Sequence, residues 1–160
     1  MGAVGVRRKI ADAFRDRVFS TGLTYNSHPV ACAAALAAIA VYEEDDLIGR
    51  ARETGRVMTA LLEDVAAKHP CVGAVRSIGL FGAIDLVKNR ATREPMAPFF
   101  GTSPEMAALQ QFFREEGLYS FFRWHMFYVI PPLCITEAEL REGFAIIDRG
   151  LALMDRHVLP

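Results

Sequence analysis

Several features are scarce in this chain, and each scarcity removes a class of protein. Cysteine occurs three times, at Cys32, Cys71 and Cys134, with no C-x-x-C spacing. An odd, scattered set supplies neither a disulfide framework nor a zinc site. Free thiols of this kind suit a reducing cytoplasm. Charge imbalance is almost absent: 18 Lys and Arg against 19 Asp and Glu leave a net charge of −1. A nucleic-acid partner would call for a basic excess, so that class is set aside. Arg7, Arg8 and Lys9 are not followed by the apolar stretch of a signal peptide. The apolar run from Val30 to Val41 is too short for a membrane span and is mostly alanine.

What the chain does have is core material. Hydrophobic residues make up 52% of its 160 residues and charged residues 23%, which speaks against disorder and fits one domain or one compact piece of a larger one. Mean hydropathy is slightly positive, which points to apolar surface meant for a partner.

One stretch has a chemical job written into it: Thr21 to Ser27, a small polar loop running into an alanine-rich helix. Gly22 and the free hydroxyls allow backbone and O–H donors to approach an anion. Pro29 fits the first turn of a helix, where its missing N–H is harmless. That helix runs to about Glu44, and its small residues predict deep burial or a subunit contact. Before the loop, Ala3 to Val6 reads as the end of a buried strand and Arg7 to Phe14 as a short helix.

A second helix is expected over 47–68, capped by Asp46, with Ile48, Ala51, Met58, Leu62 and Val65 as its apolar stripe. Val72–Ile78 and Leu80–Val87, joined at Gly79, read as an antiparallel strand pair. Residues 88–101 read as a loop. Ser103-Pro104-Glu105 starts a helix that Gly117 stops. Leu118–Phe122 and Phe127–Ile130 are further strands. Thr136 and Glu139 form a capping box for a last helix that buries Leu140, Phe144, Ile147, Leu151 and Met154. Helices and an antiparallel sheet in this order describe a small α+β domain.

Three segments, in order, resemble the class III aminotransferases, which use pyridoxal 5′-phosphate (PLP). They are Gly22-Leu23-Thr24-Tyr25-Asn26-Ser27-His28-Pro29 with the alanines that follow, Val75-Arg76-Ser77-Ile78-Gly79-Leu80-Phe81-Gly82, and Pro131-Pro132-Leu133-Cys134-Ile135-Thr136. The wording of 118–135 is most similar to taurine–pyruvate and related ω-aminotransferases. The resemblance implies an α/β class: residues 1–45 as the end of a fold type I large PLP-binding domain with an interdomain helix, and 46–160 as the C-terminal small domain with its antiparallel sheet. It implies PLP as cofactor, an amine or ω-amino acid and a 2-oxo acid such as pyruvate as substrates, and a homodimer.

By the same resemblance Thr24 contacts the PLP phosphate, across the dimer in the partner's site. Arg123 has two readings: an anchor for the substrate carboxylate or sulfonate, suited to its bidentate fork, or a surface arginine between Phe122 and Trp124. His28 is expected to be structural, hydrogen-bonded at the helix start, and Tyr25 to pack at an interface. Arg76 and Asp85 are expected to form a structural charge pair. Base stacking on Phe121 to His125 finds no basic surface to support it.

The resemblance also implies a lysine that forms the Schiff base with PLP, and none of Lys9, Lys68 and Lys88 stands in the family's lysine motif. No catalytic residue is therefore assigned. The chain is expected to be the C-terminal portion of an aminotransferase, inactive alone. The alternative is a non-catalytic fragment that contacts the PLP phosphate or supports dimerisation beside a longer aminotransferase chain.

Overall fold

The computed structural model describes residues 2–159. They form two compact units, divided between Asp46 and Leu47.

The first unit contains helix α1 (Arg8–Asp12) and helix α2 (Pro29–Glu44). The strand expected at 3–6 does not form; these residues are exposed and irregular. A strand needs a neighbour for its backbone groups, and the described residues of this unit include no other strand. In α2 Pro29 occupies the first turn, and the Cys32 N–H bonds the His28 carbonyl at 3.0 Å. Of the two expectations for α2, deep burial or a subunit contact, burial within the chain is absent: none of its residues is buried, and Leu36 is 69% exposed. With apolar side chains on nearly every side, this helix lacks a core face of its own.

The second unit is two-layered. Helices α3 (Leu47–Lys68), α4 (Pro104–Glu115) and α5 (Glu137–Met154) pack on a sheet of β1 (Val72–Ile78), β2 (Phe81–Asn89), β4 (Phe122–Arg123) and β5 (Met126–Val129). The strand order is β1-β2-β5-β4, every neighbour antiparallel, and a short β3 (Glu94–Pro95) pairs with β2. A 3-10 turn, Asp155–His157, follows α5.

The apolar stripe of α3 differs from the sequence expectation in one way. Ile48 points outward, and the stripe runs Leu47, Ala51, Gly55, Met58, Leu62, Val65. Gly55 carries no apolar side chain, yet there α3 lies close against the β1–β2 turn: a Cβ built there would lie 2.7 Å from the Gly79 Cα. Gly79 opens the β1–β2 turn at φ +55, a conformation a side chain would oppose.

The loop expected over 88–101 is shorter than drawn, because β2 continues to Asn89 and Glu94–Pro95 pairs back onto it. The strand expected over 118–122 contracts to Phe122–Arg123. Its ladder is irregular: the Ser120 hydroxyl donates to the Tyr128 carbonyl at 2.7 Å, where a regular strand would use a backbone N–H.

Both helix ends read from sequence form as expected. Leu118 N–H bonds the Phe113 carbonyl and Gly117 N–H bonds that of Arg114, with Gly117 at φ 79, a Schellman motif. Thr136 and Glu139 make both bonds of the capping box. The α5 residues named above are all buried, against Met106, Leu109 and Phe113 of α4 and Phe127 of β5.

Candidate functional site

The loop before α2 is open. Thr24 begins a turn in which the Asn26 N–H bonds the Leu23 carbonyl at 2.9 Å and Ser27 takes φ 57. The Thr24 side chain is exposed, and its hydroxyl has no hydrogen-bond partner among the described residues. Gly22 has no neighbour within 4 Å of where a Cβ would be. His28 occupies the N-cap position, but its side chain makes no capping bond, against the expectation from sequence; its ring instead meets Tyr25 edge-on at 6.1 Å. Imidazole reaches the first-turn N–H groups poorly compared with Ser or Asp. Pro29 has no N–H and the Cys32 N–H is bonded, so Val30 and Ala31 supply the free first-turn donors at the positive end of the helix dipole, and Thr24 adds an unpaired hydroxyl in the preceding turn.

Arg123 closes β4, opposite Met126 of β5. Its guanidinium carbon lies 4.4 Å from the centre of the Trp124 ring. It has no ion-pair partner among the described residues. Beside it opens a cleft of about 300 Å³ walled by Gly101, Thr102, Met106, Gln110, Phe122, Arg123 and Trp124. The wall itself contains no carboxylate. Next to it His125 is buried, its Nδ1 without a partner and its ring 5.0 Å from that of Phe99.

Arg76 and Asp85 meet as expected, at 2.7 Å across the β1–β2 pair. They lie on the sheet face away from the helices, where Ile78 is 82% exposed and Phe81, Met126 and Tyr128 border a shallow hollow.

A polar network went unread in the sequence. His69 is buried, with Nδ1 2.7 Å from Asp155 and Nε2 3.0 Å from Asp148. Lys68 pairs with Asp148 at 2.6 Å, and the Cys71 N–H donates to Asp155 at 3.1 Å. Arg90 donates to the carbonyls of Val72, His69 and Ala66, closing the end of α3. The Lys68 and His69 hydrogen bonds hold the Asp148 carboxyl below its ordinary range. Burial pulls Asp155 up, but hydrogen bonds from Cys71 and His69 outweigh it and leave that carboxyl lowered.

Cys, His and Asp side by side resemble a nucleophilic triad. Burial rules that out, since it pushes the Cys71 thiol far up, and the thiol donates to the Leu151 carbonyl at 3.5 Å. A catalytic cysteine needs a thiolate and access. The network is a clasp joining the ends of α3 and α5 to the start of β1. Its only trace in the sequence is the His69-Pro70-Cys71 helix stop; the partners are some 80 residues away.

Among the described residues no cluster of metal-ligating side chains occurs, and no helix is long and apolar enough to cross a membrane.

In the second unit, helices backing an antiparallel sheet form the fold that the resemblance implies. Comparison with known proteins agrees. The family model described as "Aminotransferase class-III" matches residues 1–151, and the chain belongs to that family. It is similar to taurine:2-oxoglutarate aminotransferase from Bifidobacterium kashiwanohense, solved in complex with PLP and glutamate, with a TM-score of 0.89, 37% identity, 95% of this chain covered and 34% of that one. It is 33% identical to ethanolamine-phosphate phospho-lyase homolog 1 of Caenorhabditis elegans over 98% of this chain and 33% of the other. It is 35% identical to the 5-aminovalerate aminotransferase of Pseudomonas aeruginosa over 79% of this chain and 29% of the other. The chain thus spans about a third of the length of these relatives.

Proposed function

We propose that this chain supplies the phosphate-anchoring loop and the small domain of a PLP-dependent aminotransferase that moves an amino group from an amine or ω-amino acid to a 2-oxo acid such as pyruvate. The observation that carries the reading is the ordered trio of motifs inside a family match over residues 1–151. The similar Bifidobacterium enzyme holds PLP and glutamate, and the residues present here fit those groups. The exposed, unpaired Thr24 hydroxyl fits a phosphate oxygen. The unpaired Arg123 beside a carboxylate-free cleft fits an anionic substrate end.

When bound, PLP supplies an electron-withdrawing ring that stabilises negative charge on the substrate carbon. The work of this chain is positioning. Thr24 donates to the phosphate, in the site of a partner subunit within a homodimer. Arg123 orients the substrate through its anionic end. None of Lys9, Lys68 and Lys88 stands in the family's lysine motif, so in this reading the cofactor's amine is not assigned to them. Three unpaired cysteines support a reducing cytoplasm as the setting.

A second reading is favoured by the unburied apolar helix α2. In it the chain is a non-catalytic partner that docks α2 on a longer aminotransferase and lends it Thr24. Co-purification with such a chain, and no PLP retained without it, would support that reading.

The test of the first reading is a graft. This chain replaces the matching third of the Bifidobacterium aminotransferase, and the product is assayed for amino transfer and, because one relative is named a phospho-lyase, for phosphate release. Amino transfer to pyruvate or 2-oxoglutarate is expected. A folded, PLP-loaded graft that releases phosphate from phosphoethanolamine and transfers nothing would overturn the reading. The ungrafted chain should give no turnover and no borohydride-trapped PLP adduct at Lys9, Lys68 or Lys88.

A further inference from the structure

Trp124 is the chain's one tryptophan, and it sits in an unusual place for a large residue. It is at φ +57, in the tight turn between β4 and β5. Bulky side chains avoid that region, so the surroundings must hold it there. They do: the Trp124 ring packs against Phe99 at 5.3 Å and Phe100 at 4.8 Å. Over the ring, at 4.4 Å, lies the guanidinium of Arg123.

The Arg123 guanidinium makes no hydrogen bond or ion pair with the described residues, so its N–H donors remain for a carboxylate or sulfonate to take in pairs. Stacking and anion binding therefore coexist. An unstacked arginine on a short strand would lose side-chain freedom on binding; one already held over a ring has lost much of it beforehand. The cleft alongside adds the Thr102 hydroxyl and the Gln110 amide as further polar groups, with Met106 and Phe122 as apolar wall.

We propose that Trp124 is a positioning residue: with Phe99 and Phe100 behind it, it presets the Arg123 guanidinium to receive a carboxylate or sulfonate in the cleft bordered by Thr102 and Gln110. This rests on the reading of Arg123 as an anion anchor, and the experiment separates the two.

Because Trp124 is the single tryptophan, its emission reports directly on the guanidinium above it. The chain is titrated with glutarate and, separately, with 1-propanesulfonate. Fluorescence and calorimetry are both read, so that Trp124 variants can be compared. A saturable change in emission is expected, and whichever anion produces it names the head group. Arg123→Gln should abolish saturation. Trp124→Leu should weaken calorimetric affinity about two- to tenfold, the cost of ordering on binding a side chain no longer held beforehand. Trp124→Phe, which keeps a ring face and guards against a folding defect, should recover part of that loss. Unchanged affinity in Arg123→Gln overturns the anchor. Loss in Arg123→Gln with unchanged or tighter affinity in Trp124→Leu overturns the positioning role alone. Absence of saturation with both anions overturns both.

Discussion

Three glycines in the second unit should respond to the same substitution with different signs. Alanine is favoured over glycine inside a helix by about 1 kcal/mol, so Gly→Ala stabilises where there is room. Gly143 of α5 has room: the nearest atom to a built Cβ is the Leu118 Cδ1 at 3.9 Å, an ordinary contact. Gly55 of α3 has none. Its Cβ would lie 2.7, 2.8 and 2.8 Å from the Cα, C and O of Gly79, all backbone atoms of a tight turn that cannot rotate away. Overpacking of this kind costs about 1–3 kcal/mol, and with a rigid neighbour the upper part of that range applies. Subtracting the helix gain leaves Gly55→Ala destabilised by about 1–2 kcal/mol. Gly150 is intermediate, because its Cβ would meet the Phe113 ring at 2.6 Å and Leu109 at 2.8 Å, side chains that yield only by disturbing the α4–α5 core. Urea denaturation followed by circular dichroism measures all three. The midpoint should rise for Gly143→Ala and fall for Gly55→Ala. A rise for Gly55→Ala would refute the close approach of α3 to the β1–β2 turn.

Other expectations follow from the polar groups. Asp148 and Asp155 are lowered in the folded chain, so their contribution is present above the unfolded carboxylate range near 3.8 and is lost as pH falls through the lower folded values. Asp148→Asn should therefore flatten the loss of stability between about pH 5 and pH 2, measured by urea denaturation across that window. Cys134 is exposed and Cys71 buried with a raised thiol, so a thiol reagent should label Cys134 within the folded protein and Cys71 only on unfolding, as peptide mapping would show. Thr136→Ala removes the capping box of α5 and should lower stability by about 1 kcal/mol, with Thr136→Ser restoring most of it.

The second unit was largely legible because its signals are local. Helix α5 declares itself by apolar spacing and by Thr136 with Glu139; α4 ends where Gly117 and its neighbours can close a Schellman motif. The β1–β2 pair is marked by Gly79. The Arg76–Asp85 pair was foreseen because both residues sit in paired strands. What was not legible depends on distance in sequence or on empty space. Gly55 carries no apolar side chain, so its role as a contact point appears only with Gly79 beside it. The His69 clasp needs Asp148 and Asp155, which periodicity cannot bring to it. The packing of Phe99 and Phe100 against Trp124, with Arg123 over the same ring, joins residues from two separate loops. Helix α2 was read correctly as a helix, but its small apolar residues allow burial or a subunit contact alike, and composition does not choose between them.

The central claim is that Thr24 anchors the phosphate of a cofactor held in another subunit. A hybrid dimer of the grafted enzyme tests it directly. One subunit carries Thr24→Ala with the cofactor lysine of the grafted remainder intact; the other keeps Thr24 and lacks that lysine. If the anchor acts across the dimer, the site bearing the lysine is completed by the partner's threonine, and the hybrid retains PLP at one site per dimer as tightly as the unaltered graft. If the hybrid releases PLP as readily as the Thr24→Ala homodimer, the anchor does not cross between subunits and the account is contradicted.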